Sequence, residues 1–203
     1  MKLALMNGNT VPASELRSLG FEAVQMFFGH GTDGEAKDPS TEVIDSTLAA
    51  GNTCLAAMTL HVDLVGPQGA LPADVARLIR CVEKTAALKG RFGANPKPVL
   101  VWHPSGYPTG ESINDQAVVN GLRQALGQVC QVAEKLGVWV AVEITRAGSI
   151  GSAESFLRVK DQVPSPALKV CMDAANFCPD RTPLERAVRM LGVRIINVSN
   201  EQE

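Results

Sequence analysis

Apolar residues in this chain fall into short runs separated by longer amphipathic stretches. The runs are Lys2–Met6, Phe21–Phe28, Thr53–Val62, Pro98–His103, Val138–Glu143, Leu168–Asp173 and Val193–Val198. They are rich in Val, Leu and Ile and show no clean in–out alternation, which predicts strands covered on both faces. Between them the period changes. Val118, Leu122, Leu126, Val129, Ala133 and Leu136 recur at helical spacing and predict a helix over residues 114–136, with Gly137 as its left-handed stop. Val75, Leu78, Ile79 and Val82 share one face of a second helix, Pro72–Leu88. A third opens at Thr182-Pro183, an N-cap followed by proline at the first helical position, carries Leu184, Ala187, Val188 and Leu191, and ends at Gly192. Weaker patterns predict helices over Ala13–Leu19, Ser40–Ala50 and Ser152–Asp161, the first two stopped by Gly20 and Gly51.

The order is therefore strand then helix, six times over, and a seventh strand. Strict alternation implies parallel strands joined by right-handed crossovers. An open doubly wound sheet and a β/α barrel both satisfy that order. The stretch after the first run, Asn7-Gly8-Asn9-Thr10, lacks the spacing of a glycine-rich phosphate turn, which weighs against a dinucleotide fold.

Composition narrows the function classes. At 203 residues the chain can bury a real core, and 45% hydrophobic with 20% charged residues is ordinary for a soluble globular protein. A formal net charge of −2 advertises no face for nucleic acid, and Lys89, Arg91 and Lys97 read as a solvated loop. No run approaches the roughly 20 apolar residues that span a bilayer. The N-terminus reads as a first strand and not as a signal peptide. Cys54, Cys81, Cys130, Cys171 and Cys178 are odd in number and form no C-x-x-C pair, so reduced thiols in a cytoplasmic protein are expected.

The strand ends carry the chemistry. His61 and Asp63 lie at the end of the third run, His103 ends the fourth, Glu143 the fifth and Asp173 the sixth, with Asn176 just beyond. In α/β folds the carboxyl ends of the strands hold the functional groups. Such oxygen and nitrogen donors suit Mn²⁺, Mg²⁺, Co²⁺ or Zn²⁺. Each residue also has a plainer reading. A strand-end histidine is commonly a hydrogen-bonded polar residue, Asp173 can cap the turn, and Asn176 can form it. Glu143 is harder to explain away, because a carboxylate at the end of V-W-V-A-V is costly to bury unpaired. Glu143 and Asp173 read as equivalent positions of neighbouring strands.

Through L-G-F-E-A-V-Q-M (19–26), V-W-H-P-S-G (101–106), L-G-V-W-V-A-V-E (136–143) and L-K-V-C-M-D-A-A-N (168–176), the sequence resembles the xylose isomerase-like TIM-barrel superfamily over essentially its whole length. The resemblance implies one α/β domain over residues 1–203, a (β/α) TIM-type barrel. It implies a divalent metal, Mn²⁺ or Mg²⁺ with Co²⁺ or Zn²⁺ as alternatives, held by Glu143 and Asp173 with a histidine and a glutamate from two further strands. Glu143 would then be catalytic, moving a proton through an enediolate in a sugar or sugar-acid isomerase or epimerase. His61, His103 and Asn176 would contact the sugar.

The last strand departs from the pattern. Ser199 stands at the expected histidine, and no eighth strand or its glutamate follows. The expectation is an incomplete barrel of about seven strands and six helices, truncated after strand 7, with open edges that favour self-association. Two other readings accompany the isomerase. One is a degenerate barrel that binds a small molecule or partner without turnover. The other is an endonuclease IV-like repair enzyme using His61 and His103 as ligands.

Overall fold

Every predicted run forms a strand. In the computed structural model the described residues are 3–6, 11–104, 116–145, 149–173, 176 and 184–199. Strands β1 (Ala4–Met6), β2 (Ala23–Phe27), β3 (Cys54–His61), β6 (Val99–His103), β7 (Trp139–Glu143), β8 (Leu168–Asp173) and β9 (Ile195–Ser199) form one parallel sheet in that order. Helices α1 (Thr41–Gly51), α2 (Pro72–Ala87), α3 (Gln116–Leu136), α4 (Ala153–Gln162) and α5 (Leu184–Leu191) lie on the connections. Both faces of the sheet are packed. Leu100, Val101 and Trp102 on β6 and Val140, Ala141 and Val142 on β7 are consecutive and all fully buried, so both faces are covered, which explains the continuous apolar runs in the sequence.

The sheet curls. Asn197 on β9 donates to Gln25 on β2 at 3.0 Å, and Gln25 donates to Thr59 on β3 at 2.9 Å. A strand at one end of the sheet thus reaches a strand near the other end through its concave interior. Among the described residues β1 and β9 do not pair, so the architecture is a TIM barrel left incomplete, as the family resemblance implied.

Local chemistry sets the helix ends. The Ser40 hydroxyl accepts from the Val43 N–H, and Ser152 and Ser155 form a reciprocal capping box. Gly137 has the predicted left-handed backbone, with φ of 69°, and Gly192, the predicted end of the last helix, is left-handed too, with φ of 51°. The stop of α1 is not Gly51 but Asn52, at φ 47°. Gly51 is the last helical residue, where a Cβ would lie 2.9 Å from the Ala13 carbonyl oxygen. The predicted helix Ala13–Leu19 is only a 3₁₀ turn, Ala13–Glu15. It buries Leu16 alone while Leu19 stays exposed, too little apolar contact to hold so short a helix. A small hairpin, β4 (Val65–Gly66) with β5 (Gly69–Ala70), follows β3 unannounced by the sequence pattern.

Among the described residues no helix is long and apolar enough to cross a membrane. Cys81 and Cys130 are free thiols. Cys178 and the Thr182-Pro183 cap lie outside the described residues.

Candidate functional site

Strand register brings four of the predicted residues to one end of the sheet. His61 pairs in register with His103. Trp102 pairs with Val142, so His103 stands level with Glu143, and His103 Nε2 lies 3.7 Å from Glu143 Oε1. Glu143 is 1% exposed, the deep point of the group. Its register partner on β8 is Cys171. Asp173 is therefore not the equivalent of Glu143. It sits two residues farther along, opposite Ser199, because a tilted parallel sheet staggers its strands. Asp173 is buried at 3% exposure and accepts a hydrogen bond from the Asn176 side-chain amide at 2.9 Å. Asn176 thus holds the carboxylate directly.

The histidines form a column. His61 stacks on His103 with ring centroids 4.1 Å apart and planes 13° apart. A third ring, His30, stacks on the other face of His61 at 4.4 Å and 2°. These are the only histidines in the chain. Burial pushes His61 down to about 3 from its ordinary 6.5, helped by the neighbouring His103 and His30. Burial also lowers His103, although the backbone at Pro104 and His103 and the Asp173 carboxylate pull it back upward. At neutral pH both rings are uncharged, and the His103–Glu143 contact joins a neutral imidazole to the carboxyl group. Among the described residues, His61 Nε2 and His103 Nδ1 are buried and have no hydrogen-bond partner. Just past β7, the buried hydroxyls of Thr145 and Ser149 also lack partners among the described residues. The mouth therefore offers unsatisfied polar groups around one buried carboxyl, an arrangement suited to a ligand rich in hydroxyls.

The described residues do not fit a divalent centre as they stand. Among them, no group of three or more His, Cys, Asp or Glu side chains could hold a metal ion. The rings of the column lie face to face and do not converge on one point.

Sequence reasoning overlooked His30 and the residues that hold its loop, Asp38 on the loop itself and Arg77 on α2. The signal available was the spacing of the chain's three histidines, each at or just beyond the end of successive strands.

Solved structures share this fold. D-allulose 3-epimerase from Methylomonas sp., solved in complex with D-allulose, is 13% identical, with a TM-score of 0.71 over 98% of this chain and 71% of that one. The probable 3-DHS dehydratase of Bacillus anthracis is 15% identical, with a TM-score of 0.68 over 96% and 71%. A xylose isomerase-like TIM barrel protein of Mycobacterium smegmatis, solved in complex with magnesium, is 14% identical, with a TM-score of 0.61 over 88% and 61%. No curated protein matches the chain. At residues 13–198 the sequence matches the xylose isomerase-like TIM barrel family, and the chain belongs to that family.

Proposed function

We propose that the mouth formed by β3, β6, β7 and β8 is the site of a sugar or sugar-acid isomerase or epimerase, with Glu143 as the proton-transfer group. One observation carries the reading: a carboxyl group 1% exposed lies 3.7 Å from an uncharged imidazole, at the carboxyl end of a strand in this family's fold. Several structural neighbours are sugar epimerases, which favours the same class of substrate.

The chemistry follows from the groups present. The Glu143 carboxylate takes the proton from the carbon beside a ketose carbonyl. The carbonyl oxygen gains charge as the enediolate forms, and a neutral imidazole N–H is a suitable donor to it. Glu143 then returns the proton to the neighbouring carbon, while the hydroxyl proton of the first carbon passes to the charged oxygen, so that the carbonyl and the hydroxyl change places. His61, His103 and Asn176 orient the sugar hydroxyls, Asn176 through its hold on Asp173.

The resemblance implies a divalent cation. Glu143 and Asp173 are the carboxylates that would face it, and no third donor is grouped with them among the described residues. No step is assigned to it. That shortfall is what favours the second reading, a barrel that binds a sugar without turnover. The endonuclease IV-like reading gains nothing from His61 and His103, which stack instead of converging, or from a net charge of −2.

Solvent exchange separates these readings. The chain is incubated with a panel of ketoses in heavy water, with and without Mn²⁺, and deuterium is followed at the carbon beside the carbonyl. Exchange should occur, and Glu143→Gln should slow it by at least about 100-fold. No exchange with any ketose, or exchange that survives Glu143→Gln, sinks the proposal.

A further inference from the structure

The loop between β2 and α1 has no part in the chemistry above, yet it is held by an unusual set of bonds. It carries Gly29-His30-Gly31 and then a 3₁₀ turn, Thr32–Lys37. Arg77 on α2, 0% exposed, donates to the two oxygens of Asp38 at 2.9 and 2.5 Å. The same guanidinium donates to the Gly29 carbonyl at 3.1 Å and to the Gly31 carbonyl at 3.4 Å. Those are the two carbonyls that flank His30. Asp38 also accepts from the Gly29 N–H at 3.0 Å, and the Gly31 N–H donates to the His61 carbonyl at 2.8 Å. Gly31 has a φ of 67°, and a Cβ on Gly29 would fall 2.0 Å from the Gly34 carbonyl oxygen, so this path requires glycine at both positions.

A buried ion pair seldom adds net stability, because desolvation offsets the attraction. A plain connection from strand to helix has no need of one. What this pair does achieve is geometric: an exposed histidine is fixed with its ring flat on His61. A rigid exposed side chain loses little entropy when a ligand binds against it. Two ring spacings, 4.1 and 4.4 Å, separate His103 beside Glu143 from His30 at the rim. That span is roughly the length of an extended six-carbon chain counted out to its two terminal oxygens, which advances about 1.25 Å per bond in its zigzag, and a three-carbon ketose falls short of it.

We infer that His30 is a substrate-contacting residue at the rim of the Glu143 site, that Arg77 and Asp38 are the positioning pair that holds it there, and that the site takes a hexose-sized ketose. The inference rests on the sugar reading of Glu143. It also identifies an end of the substrate far from the reacting carbons.

Three histidines make the test direct, since their ring signals can be followed individually by NMR in the full chain. The probes are D-fructose and dihydroxyacetone. D-Fructose should shift the signals of both His30 and His103, and dihydroxyacetone that of His103 without His30. His30→Ala should weaken D-fructose binding about tenfold, the loss of one good polar contact, while leaving dihydroxyacetone binding and the unfolding midpoint unchanged. Arg77→Met combined with Asp38→Leu should reproduce that selective loss with His30 present, and should erase the ring-current shift of the His30 signal. If the double variant fails to fold, His30→Ala and the comparison of the two sugars still decide the matter. D-Fructose binding that is indifferent to His30→Ala, or a folded double variant with its ring-current shift intact, overturns this inference alone. A parent chain that binds neither sugar overturns it together with the Glu143 reading.

Discussion

Mild acid should destabilise this protein through His61. The imidazole is pushed down to about 3 in the folded chain from 6.5, first by burial and then by His103 and His30. As pH falls, the unfolded chain takes up the proton first and the folded chain resists it. The contribution is therefore fully present above about pH 6.5 and is lost as pH drops toward 3. Each pH unit in that window costs about 1.4 kcal/mol per proton. Between about pH 6.5 and about pH 5 the loss is about 2 kcal/mol, an upper bound because the ring is only partly enclosed and solvent screens it. His103 shifts in the same direction and adds to the slope. Glu35, Asp38, Glu42 and Asp45 are lowered from ordinary values of 4.5, 3.8, 4.5 and 3.8, so their contributions disappear only in stronger acid. The control is His61→Phe, which keeps an aromatic ring beside Phe27, His30 and His103 but cannot titrate. Urea unfolding by circular dichroism at several pH values gives the slope, with the m-value checked for constancy. The parent should lose stability toward about pH 5, and His61→Phe should lose about 1–2 kcal/mol less. Equal pH slopes in the two proteins would refute the argument.

Three further outcomes are expected. Arg77→Met leaves Asp38, 8% exposed, with Lys84 at 2.7 Å as its remaining cation, and should cost about 3 kcal/mol in chemical denaturation, most of it recovered by adding Asp38→Leu. Gly121→Ala drives a Cβ to 2.7 Å from the Ala70 backbone nitrogen where α3 crosses the hairpin, and should lower stability by about 1–3 kcal/mol in a thermal melt. Calorimetric titration of Mn²⁺ into the chelator-stripped chain should give no plateau near one equivalent; a plateau that Asp173→Asn abolishes would mean that donors beyond the described residues complete the set.

The fold was legible because parallel strands buried on both faces leave a distinctive mark. V-W-V-A-V-E is apolar at every position before its glutamate, and it became β7 almost residue for residue. Features that depend on few residues or on distant partners left no such mark. Strands of two residues, as in the hairpin Val65–Gly66 with Gly69–Ala70, are shorter than any periodicity. Helix Ala13–Leu19 had the right spacing but too few buried contacts to persist beyond one turn. In the site, Glu143 was conspicuous as a charge ending an apolar run. His30 was not, because its placement depends on Arg77, far along the chain and on the far side of a strand and a helix. The stagger between Glu143 and Asp173 arises from sheet tilt, which strand-end positions in a sequence do not encode.

That stagger bears on the reaction. His61, His103 and Glu143 occupy one rank across the mouth, and Asp173 stands two residues beyond it, about 6–7 Å farther along the strand direction. A planar enediolate lying against the histidine rank would have Glu143 on one face and Asp173 toward its edge, with Asp173 already accepting from Asn176. Epimerisation needs a second group to deliver a proton from the opposite face of that plane. Isomerisation needs one base, which takes a proton from one carbon and returns it to the next on the same face. On the proposed reading, the groups described at this mouth supply the one-base case. An isomerase should pass deuterium between adjacent carbons of a ketose with retention of the face, whereas an epimerase would invert the carbon it labels. If labelled product is inverted, a second acid must reach the site from residues other than those in this rank.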